Sequence, residues 1–589
     1  MKKILYFSIL TILIFSCYFT RFHNLGSFYT EIDDQISISQ MMRYKRLDLY
    51  AIANDIESKT YNSKIKFEIR KLQNLDNKFI NFSQKIISKI YANTSPSKHS
   101  TLAPLQYFLF GWMVDIDQNY NKLKFNSRFP SAVFSILTVY ITFLLSKKLF
   151  SNKNLFYLIP PTILTISLPL IYISQRSYNY SAGTFALVFL CLFFIKQNDK
   201  TNKFFFKYDQ NKILIKKNFI ISMPLLLLPY LNYILLYLTP IYFLLNFIYS
   251  SRKNNKVFNT ENNNLIITGL IYSAFILPIL FHIYNQNLLD NGMSGSTAGE
   301  FFEYSIDTYK TGGILSIIKF YLKNIYLIIT ENLSFFLNDF FLSKYLKIFL
   351  FLCVFWGFFI SFFTNKTKEQ SLFFFFSCCC FLTWIIMSYF NILALGPTRH
   401  LQIFTPFFSI IFSFGIYKLT HEKYSDKITV LLIIIFFSIF VFNYKNFTKV
   451  YKDLANENKI LSLIEKYNVG YIANWHSTIE QDLANSFGFG RSYFLCNINS
   501  IKVRIQACTL RNYRYVSHEK LDKKMLKNLK KNSLSIAFYN KKIDEKISLY
   551  LKEIGFVLTY SFEEIRFISN SPLLISKYEP NFLSIKIFK

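Results

Sequence analysis

The sequence predicts an α-helical polytopic membrane protein of about eleven transmembrane helices, carrying a small external α/β region at its C-terminus. Three observations predict it. The 589 residues are 52% hydrophobic and only 17% charged, whereas soluble domains run near 25% charged. The apolar residues fall in runs close to the roughly 20 needed to cross a bilayer. Those runs stop near residue 442, and a mixed polar sequence follows. A chain this apolar has ample surface to bury, which excludes disorder. Its 67 Lys+Arg against 35 Asp+Glu give a net charge of +32. In a soluble protein that excess would suggest nucleic acid, but no recognition motif accompanies it, so no nucleic-acid partner is expected. In a membrane protein the same charge orients loops and faces anionic headgroups.

The apolar runs are residues 4–19, 129–145, 155–173, 180–195, a crowded pair within 219–249, then 265–284, 345–363, 372–390, 401–417 and 428–442. With Lys2 and Lys3 in the cytoplasm, alternation puts Lys147–Lys148, the Lys196–Lys217 segment, Arg252–Lys256, Lys366–Lys368 and Lys418–Lys427 inside. The short outer connections hold one Arg each, so the positive-inside bias fixes orientation. The long segments 20–127 and 285–344 and the tail then fall outside. Residues 1–442 form the membrane body and 443–589 an external soluble region, with a helix near 452–467 and strands near 534–539 and 555–560. Ser16-Cys17 loosely resembles a lipoprotein cleavage site, but Phe15 is too bulky for good processing, and a retained first helix is expected. Cys17, Cys191, Cys353 and Cys378–Cys380 lie in apolar runs as packing residues. Cys496 and Cys508 lie in the external tail, where a disulfide is chemically permitted.

Carboxylates are scarce, and three of them, Glu31, Asp33 and Asp34, cluster just after the first run. Adjacent carboxylates repel, so their grouping calls for a cation, a hydrogen-bond network or a proton-accepting task; a solvated helix cap is the plainer alternative. Farther along the same segment, Lys98 and His99 precede a short apolar stretch to Val114 that is too short to span and suits the interface. Arg128 opens an apolar run from the outside. Arg176, with Tyr178 beside it, and Arg399 lie at outer connections. Cations and an acidic pair at one membrane face suit a site where a phosphate leaves and a proton is taken. Each alone would be an interfacial anchor.

The order of these motifs resembles the GT-C superfamily of polytopic glycosyltransferases, the branch of protein O-mannosyltransferases and bacterial aminoarabinose transferases. The matching stretches are residues 21–34, 102–107, 128–133 with Lys147-Lys148-Leu149-Phe150, 174–180, and Arg399-His400-Leu401 with Pro406. Departures are present. The family's Asp-Glu is Asp33-Asp34 here, its His or Lys of the third element falls on Leu102, and its Arg before the last Tyr of the fourth falls on Tyr178.

The resemblance implies a membrane transferase that moves a sugar, with inversion, from a polyprenyl-phosphate donor to a lipid, glycan or protein acceptor on the outer face of a bacterial-type cytoplasmic membrane. Asp33 would be the general base, a role that contributes about 10²–10⁴-fold, and Asp34 would orient the acceptor or hold Asp33. Arg128, Arg399, Lys98, His99, Arg176 and Tyr178 would meet the lipid phosphate, whose charge grows as the glycosidic bond breaks. Glu31, Asp33 and Asp34 also suit a hard divalent cation, so the sequence leaves metal use open. The 285–344 segment, with Gly292, Gly295, Gly299 and Gly312-Gly313, reads as a lid or a linker. A transporter or flippase, or a non-catalytic scaffold related to the glycosyltransferases, are the alternatives; a transporter should show internal repeats and charges at mid-membrane.

Overall fold

The computed structural model describes residues 2–23, 25, 105–114, 120–150, 155–198, 215–257, 259–289, 306–310, 312–338, 340–363, 367–390, 392–393, 395–396, 399–420, 424–451, 466–467, 469–474, 514–517, 523–531, 533, 535–539, 545–568 and 579–589. It is mostly helical. In the first half run α1 (Lys2–Phe22), α2 (Leu105–Phe110), α3 (Tyr120–Leu149), α4 (Ile159–Ile166), α5 (Leu168–Ser174), α6 (Tyr180–Gln197), α7 (Ile215–Leu231), α8 (Leu235–Asn254) and α9 (Thr260–Leu289). The second half of the body holds α10 (Asp307–Lys310), α11 (Gly313–Asn332), α12 (Ser343–Phe363), α13 (Lys368–Tyr389), a 3₁₀ segment Arg399–Phe404, α14 (Thr405–Leu419) and α15 (Ser425–Tyr451).

Among the described residues, seven helices are long and apolar enough to cross a membrane, or eight if the bent pair α4–α5 is one span. The described residues thus give a mostly helical body with several such helices, fewer than the eleven expected. α1, α7, α8 and α9 are helical where apolar runs were expected, but they are not among the seven. Conversely α11, inside the segment expected as a loop, is among them. The short stretch before Val114 forms α2 and a 3₁₀ turn, Gly111–Met113, with Trp112 exposed.

The 155–173 run bends by 56° between α4 and α5. Pro169 has no N–H and cannot continue the α4 ladder, and Ser167 caps the new helix by accepting from the Leu170 amide at 3.4 Å. α6 and α14 are enclosed by protein, while α12 and α15 present exposed aromatic and aliphatic side chains. The crossing of α12 and α14 is close. A Cβ on Gly357 would lie 2.2 Å from the Ile411 carbonyl oxygen, and one on Gly415 would lie 2.2 Å from that of Cys353. Only glycine at both positions lets the two backbones approach this way.

The ends of the bundle differ in chemistry. At one end Gln370 donates to the Leu149 carbonyl at 2.8 Å, Lys368 donates to the Asn198 carbonyl, and Asn198 donates to Asn246 Oδ1 at 2.8 Å. Asp426 accepts from the Leu155 amide at 2.8 Å. These contacts gather the C-terminal ends of α3, α6 and α8 with the starts of α13 and α15, and Lys147, Lys148 and Lys196 lie in the same last turns. This is the lysine end. The opposite end holds Arg128 in α3, Arg176 in the connection between α5 and α6, and Arg399 in the 3₁₀ segment between α13 and α14; this is the arginine end.

Beyond the helices lies a five-stranded sheet in the order β2-β1-β3-β5-β4, built from β1 (Val469–Asn474), β2 (Arg514–Ser517), β3 (Ser535–Tyr539), β4 (Leu558–Ile568) and β5 (Glu579–Phe588). β1 pairs in parallel with β2 and β3, while β5 pairs antiparallel with β3 and β4. Helices α16 (Lys523–Lys531) and α17 (Glu545–Ile554) supply Leu526, Leu529, Ile547 and Leu551 to a small core with Ile536. The strand expected at 534–539 is β3; that at 555–560 begins as a turn at Gly555, φ +81°, and becomes β4. Most of the expected helix at 452–467, together with Cys496 and Cys508, lies outside the described residues.

Candidate functional site

Site-building starts from α1. Arg21 is fully buried, and its guanidinium closes the break between α4 and α5. The Leu168 amide, which a continuous helix would direct to Leu164, donates instead to the Ser334 carbonyl at 2.9 Å. Pro169 offers no amide to Thr165. Arg21 Nη2 donates to the vacated Leu164 carbonyl at 2.6 Å, and Nη1 donates to that of Thr165. Arg21 Nη1 also reaches Thr20 Oγ1 at 2.7 Å and Nε reaches Ser135 Oγ at 3.2 Å. A cation at a helix C-terminus, where unpaired carbonyls and the negative end of the dipole meet it, is favourably placed.

Four positions on, Arg128 holds the next piece of chain. It is fully buried, and its Nη1 donates to the Leu25 carbonyl at 3.1 Å. The backbone of the motif that continues to Asp33 and Asp34 is thus fixed at Leu25 by a residue of α3. Lys124, one turn before Arg128 on α3, is fully buried as well.

The connection between α5 and α6 fits against α3 through hydroxyls. Ser131 Oγ donates to the Tyr178 carbonyl at 2.5 Å, and Ser177 Oγ to Ser127 Oγ at 2.9 Å. Gln106 of α2 donates to the same Tyr178 carbonyl at 3.2 Å. Gln175 donates to the Thr20 and His23 carbonyls at 2.8 and 3.1 Å, tying the connection to α1. Arg176 is buried with its guanidinium carbon 4.5 Å from the Tyr172 ring centre. Across from α6, Arg399 Nη1 donates to Tyr178 Oη at 3.1 Å and stacks over the Tyr178 and Tyr180 rings at 5.1 and 5.4 Å. The ring quadrupoles favour a cation in that position. His400 meets the Tyr180 ring edge-on at 5.0 Å.

Asn332, the last residue of α11, locks this 3₁₀ segment in place. Its Nδ2 donates to the Leu401 carbonyl at 2.9 Å, its Oδ1 accepts from Gln402 at 2.9 Å, and its own carbonyl accepts from Ser167 at 3.0 Å. The segment carrying Arg399 is thereby pinned to the α4–α5 break.

Of the residues expected from sequence, Arg128, Arg176, Tyr178 and Arg399 come together at the arginine end, with Tyr178 as the common neighbour of α3 and Arg399. Asp33, Asp34, Lys98 and His99 lie outside the described residues, as does Glu31. Among the described residues no cluster of His, Cys, Asp or Glu is suited to hold a metal ion. Arg21, Lys124, Gln106 and Asn332 were not expected. Arg21 and Gln106 fall within the matching stretches 21–34 and 102–107, whereas Lys124 and Asn332 signal themselves only as polar residues beside apolar runs.

No family model and no curated protein matches the sequence. Among solved structures, the chain is similar to the archaeal oligosaccharyltransferase AglB from Archaeoglobus fulgidus, in complex with an inhibitory peptide and a dolichol-phosphate. Identity is 12% and the TM-score 0.35, with 93% of this chain and 60% of that one covered. It is also similar to ArnT from Cupriavidus metallidurans bound to undecaprenyl phosphate, at 7% identity and TM-score 0.35, covering 83% of this chain and 87% of that one. The chain spans about 60% of the length of the oligosaccharyltransferase.

Proposed function

We propose that this integral membrane protein transfers a sugar from a polyprenyl-phosphate donor to an acceptor at the arginine end of the bundle, on the outer face of the membrane. The observation that carries this reading is the gathering of Arg128, Arg176, Arg399 and the phenol of Tyr178 at one end of an otherwise apolar bundle. Bond cleavage leaves negative charge on the donor phosphate, and cations already held in place stabilise that charge without reorganising. Arg399, partly buried and held over two tyrosine rings, is the residue we assign to the phosphate. Arg128 positions the chain leading to the acidic motif. In this reading Asp33 takes the proton of the acceptor hydroxyl, and Asp34 orients Asp33 or the acceptor.

A transporter reading would draw on the broken helix at Ser167, since freed backbone carbonyls at such breaks bind ions. Here Arg21 occupies those carbonyls, which favours the transferase reading.

The test is incubation of purified protein in liposomes with labelled polyprenyl-phosphate sugars and extracted envelope acceptors. Labelled acceptor and free polyprenyl phosphate are expected, Arg399→Ala should raise the donor KM at least tenfold, and Asp33→Asn should give no product. Vectorial movement of intact donor without cleavage would overturn the proposal in favour of transport.

Asn332→Ala supplies a separate check on site positioning. It leaves the Leu401 carbonyl and the Gln402 amide buried without their partner, a loss of about 1–3 kcal/mol per group. We expect a lower unfolding midpoint together with a raised donor KM. A lowered midpoint with unchanged KM would reduce Asn332 to a purely structural contact.

A further inference from the structure

The geometry points to α11 as a membrane-surface helix that lies across the arginine end, with its apolar side in the acyl chains and its lysines at anionic headgroups. Its 20 residues, about 30 Å of helix, are long and apolar enough to cross a bilayer. The contacts place it otherwise. Midway along α11, Tyr321 Oη lies 3.4 Å from Ser388 Oγ, in the last turn of α13. The preceding Lys310 stands over the Tyr389 ring at 5.3 Å, and the Tyr309 ring packs on Phe320 at 4.8 Å. The end of α13 where these contacts fall is opposite to Lys368 and therefore away from the lysine end. At the C-terminus of α11, Asn332 meets Leu401 and Gln402, and Glu331 pairs with Lys347 in the second turn of α12 at 2.6 Å. In a crossing helix, Tyr321 would lie about 16 Å nearer the opposite face than Asn332. Here both sit at the arginine end.

The sides of α11 divide accordingly. Phe320, Asn324 and Ile328 recur at helical spacing on the buried side. Ile314, Ile318 and Leu322 recur at the same spacing on an exposed side, and Lys319 and Lys323 flank them. An exposed aliphatic stripe beside a basic stripe is the pattern of a helix seated in the headgroup region, and adjoining lysines favour anionic lipid. Around the start of α12, Phe341 and Tyr345 are likewise exposed, at 76% and 70%. Through Asn332, the helix that reads the membrane surface is joined to the segment that carries Arg399.

Nitroxide labels placed one at a time through Ile314→Cys, Ile318→Cys, Leu322→Cys, Lys323→Cys and Ile325→Cys test this in full-length protein whose other accessible cysteines are serine. The liposomes contain either phosphatidylglycerol or only phosphatidylcholine. We expect labels at 314, 318 and 322 to share one shallow depth with high oxygen accessibility, and the label at 323 to meet water-phase nickel reagent. Lys319→Glu with Lys323→Glu should make the label at 318 at least twofold more accessible to nickel in phosphatidylglycerol but not in phosphatidylcholine. Depth that increases steadily from 314 to 325 would mean a crossing helix. Strong nickel access at 314, 318 and 322 would mean a helix in water, and shielding from both reagents would mean a protein partner. An equal response in both lipids would remove the anionic preference. Each of these results overturns the proposal.

Discussion

Arg21→Ala is expected to abolish most of the folded yield and to lower the unfolding midpoint in detergent by the largest amount of any single side-chain truncation in the bundle. The guanidinium serves the Leu164 and Thr165 carbonyls, which lost their helical partners because the Leu168 amide turns to Ser334 and Pro169 has none. Each buried carbonyl left without a donor costs about 1–3 kcal/mol, so loss of both is on the order of 2–6 kcal/mol before packing is counted. Arg21→Lys should fall between, because one ammonium cannot reach two carbonyls and Ser135 in the fork geometry. Adding Pro169→Ala to Arg21→Ala should recover part of the loss by restoring an amide for Thr165. A wild-type midpoint in Arg21→Ala, or no recovery in the double variant, would separate Arg21 from the break.

Gly415→Leu should likewise prevent α12 and α14 from docking, and Gly357→Ala should weaken them measurably. The obstacle in each case is backbone: the Cβ of either residue would stand 2.2 Å from a carbonyl oxygen of the other helix. Neither carbonyl can rotate away, so the helices must separate, and overpacking of this kind costs about 1–3 kcal/mol or more. The two sites face each other, which gives the prediction its distinguishing form. Once Gly357→Ala has pushed the helices apart, Gly415→Ala meets an open space, so the double variant should lose clearly less than the sum of the singles. Additive losses in unfolding midpoint would show that the two glycines act independently.

Much of the helical framework was legible because lipid-facing and bundle-facing surfaces are both apolar, so long runs betray themselves without any need for periodicity. α3, α6, α12, α13, α14 and α15 fall on the expected runs. α11 was missed for a physical reason. Lys319, Lys323 and Asn324 interrupt its run, as they must in a helix with three distinct sides, and a search for uninterrupted apolar stretches passes over it. At the site, Arg128, Arg176, Tyr178 and Arg399 were legible because a cation beside an apolar run needs an explanation. Arg21 and Asn332 were not, because their partners are backbone carbonyls of helices distant in sequence. Which carbonyls fall vacant depends on a bend and on Pro169, and no local pattern around Arg21 encodes it. The acidic motif remains an expectation of the sequence, since Asp33 and Asp34 lie outside the described residues.

The enclosure of α6 has a consequence for how the chain assembles. Its residues are apolar on every side, yet α3, α7, α8, α13, α14 and the 3₁₀ segment all touch it. Such a helix enters the bilayer as readily as a lipid-facing one, so its final surroundings exchange hydrocarbon for hydrocarbon, with packing and interhelical hydrogen bonds as the driving force. Two of its walls, α13 and α14, are synthesised about 170 to 240 residues later. Until they arrive, one flank of α6 is solvated by acyl chains, and closure of the bundle consists of squeezing those lipids out sideways. A nascent chain halted before residue 368 should therefore hold α6 fully inserted and fully helical, but wetted by lipid along the flank that α13 and α14 later cover.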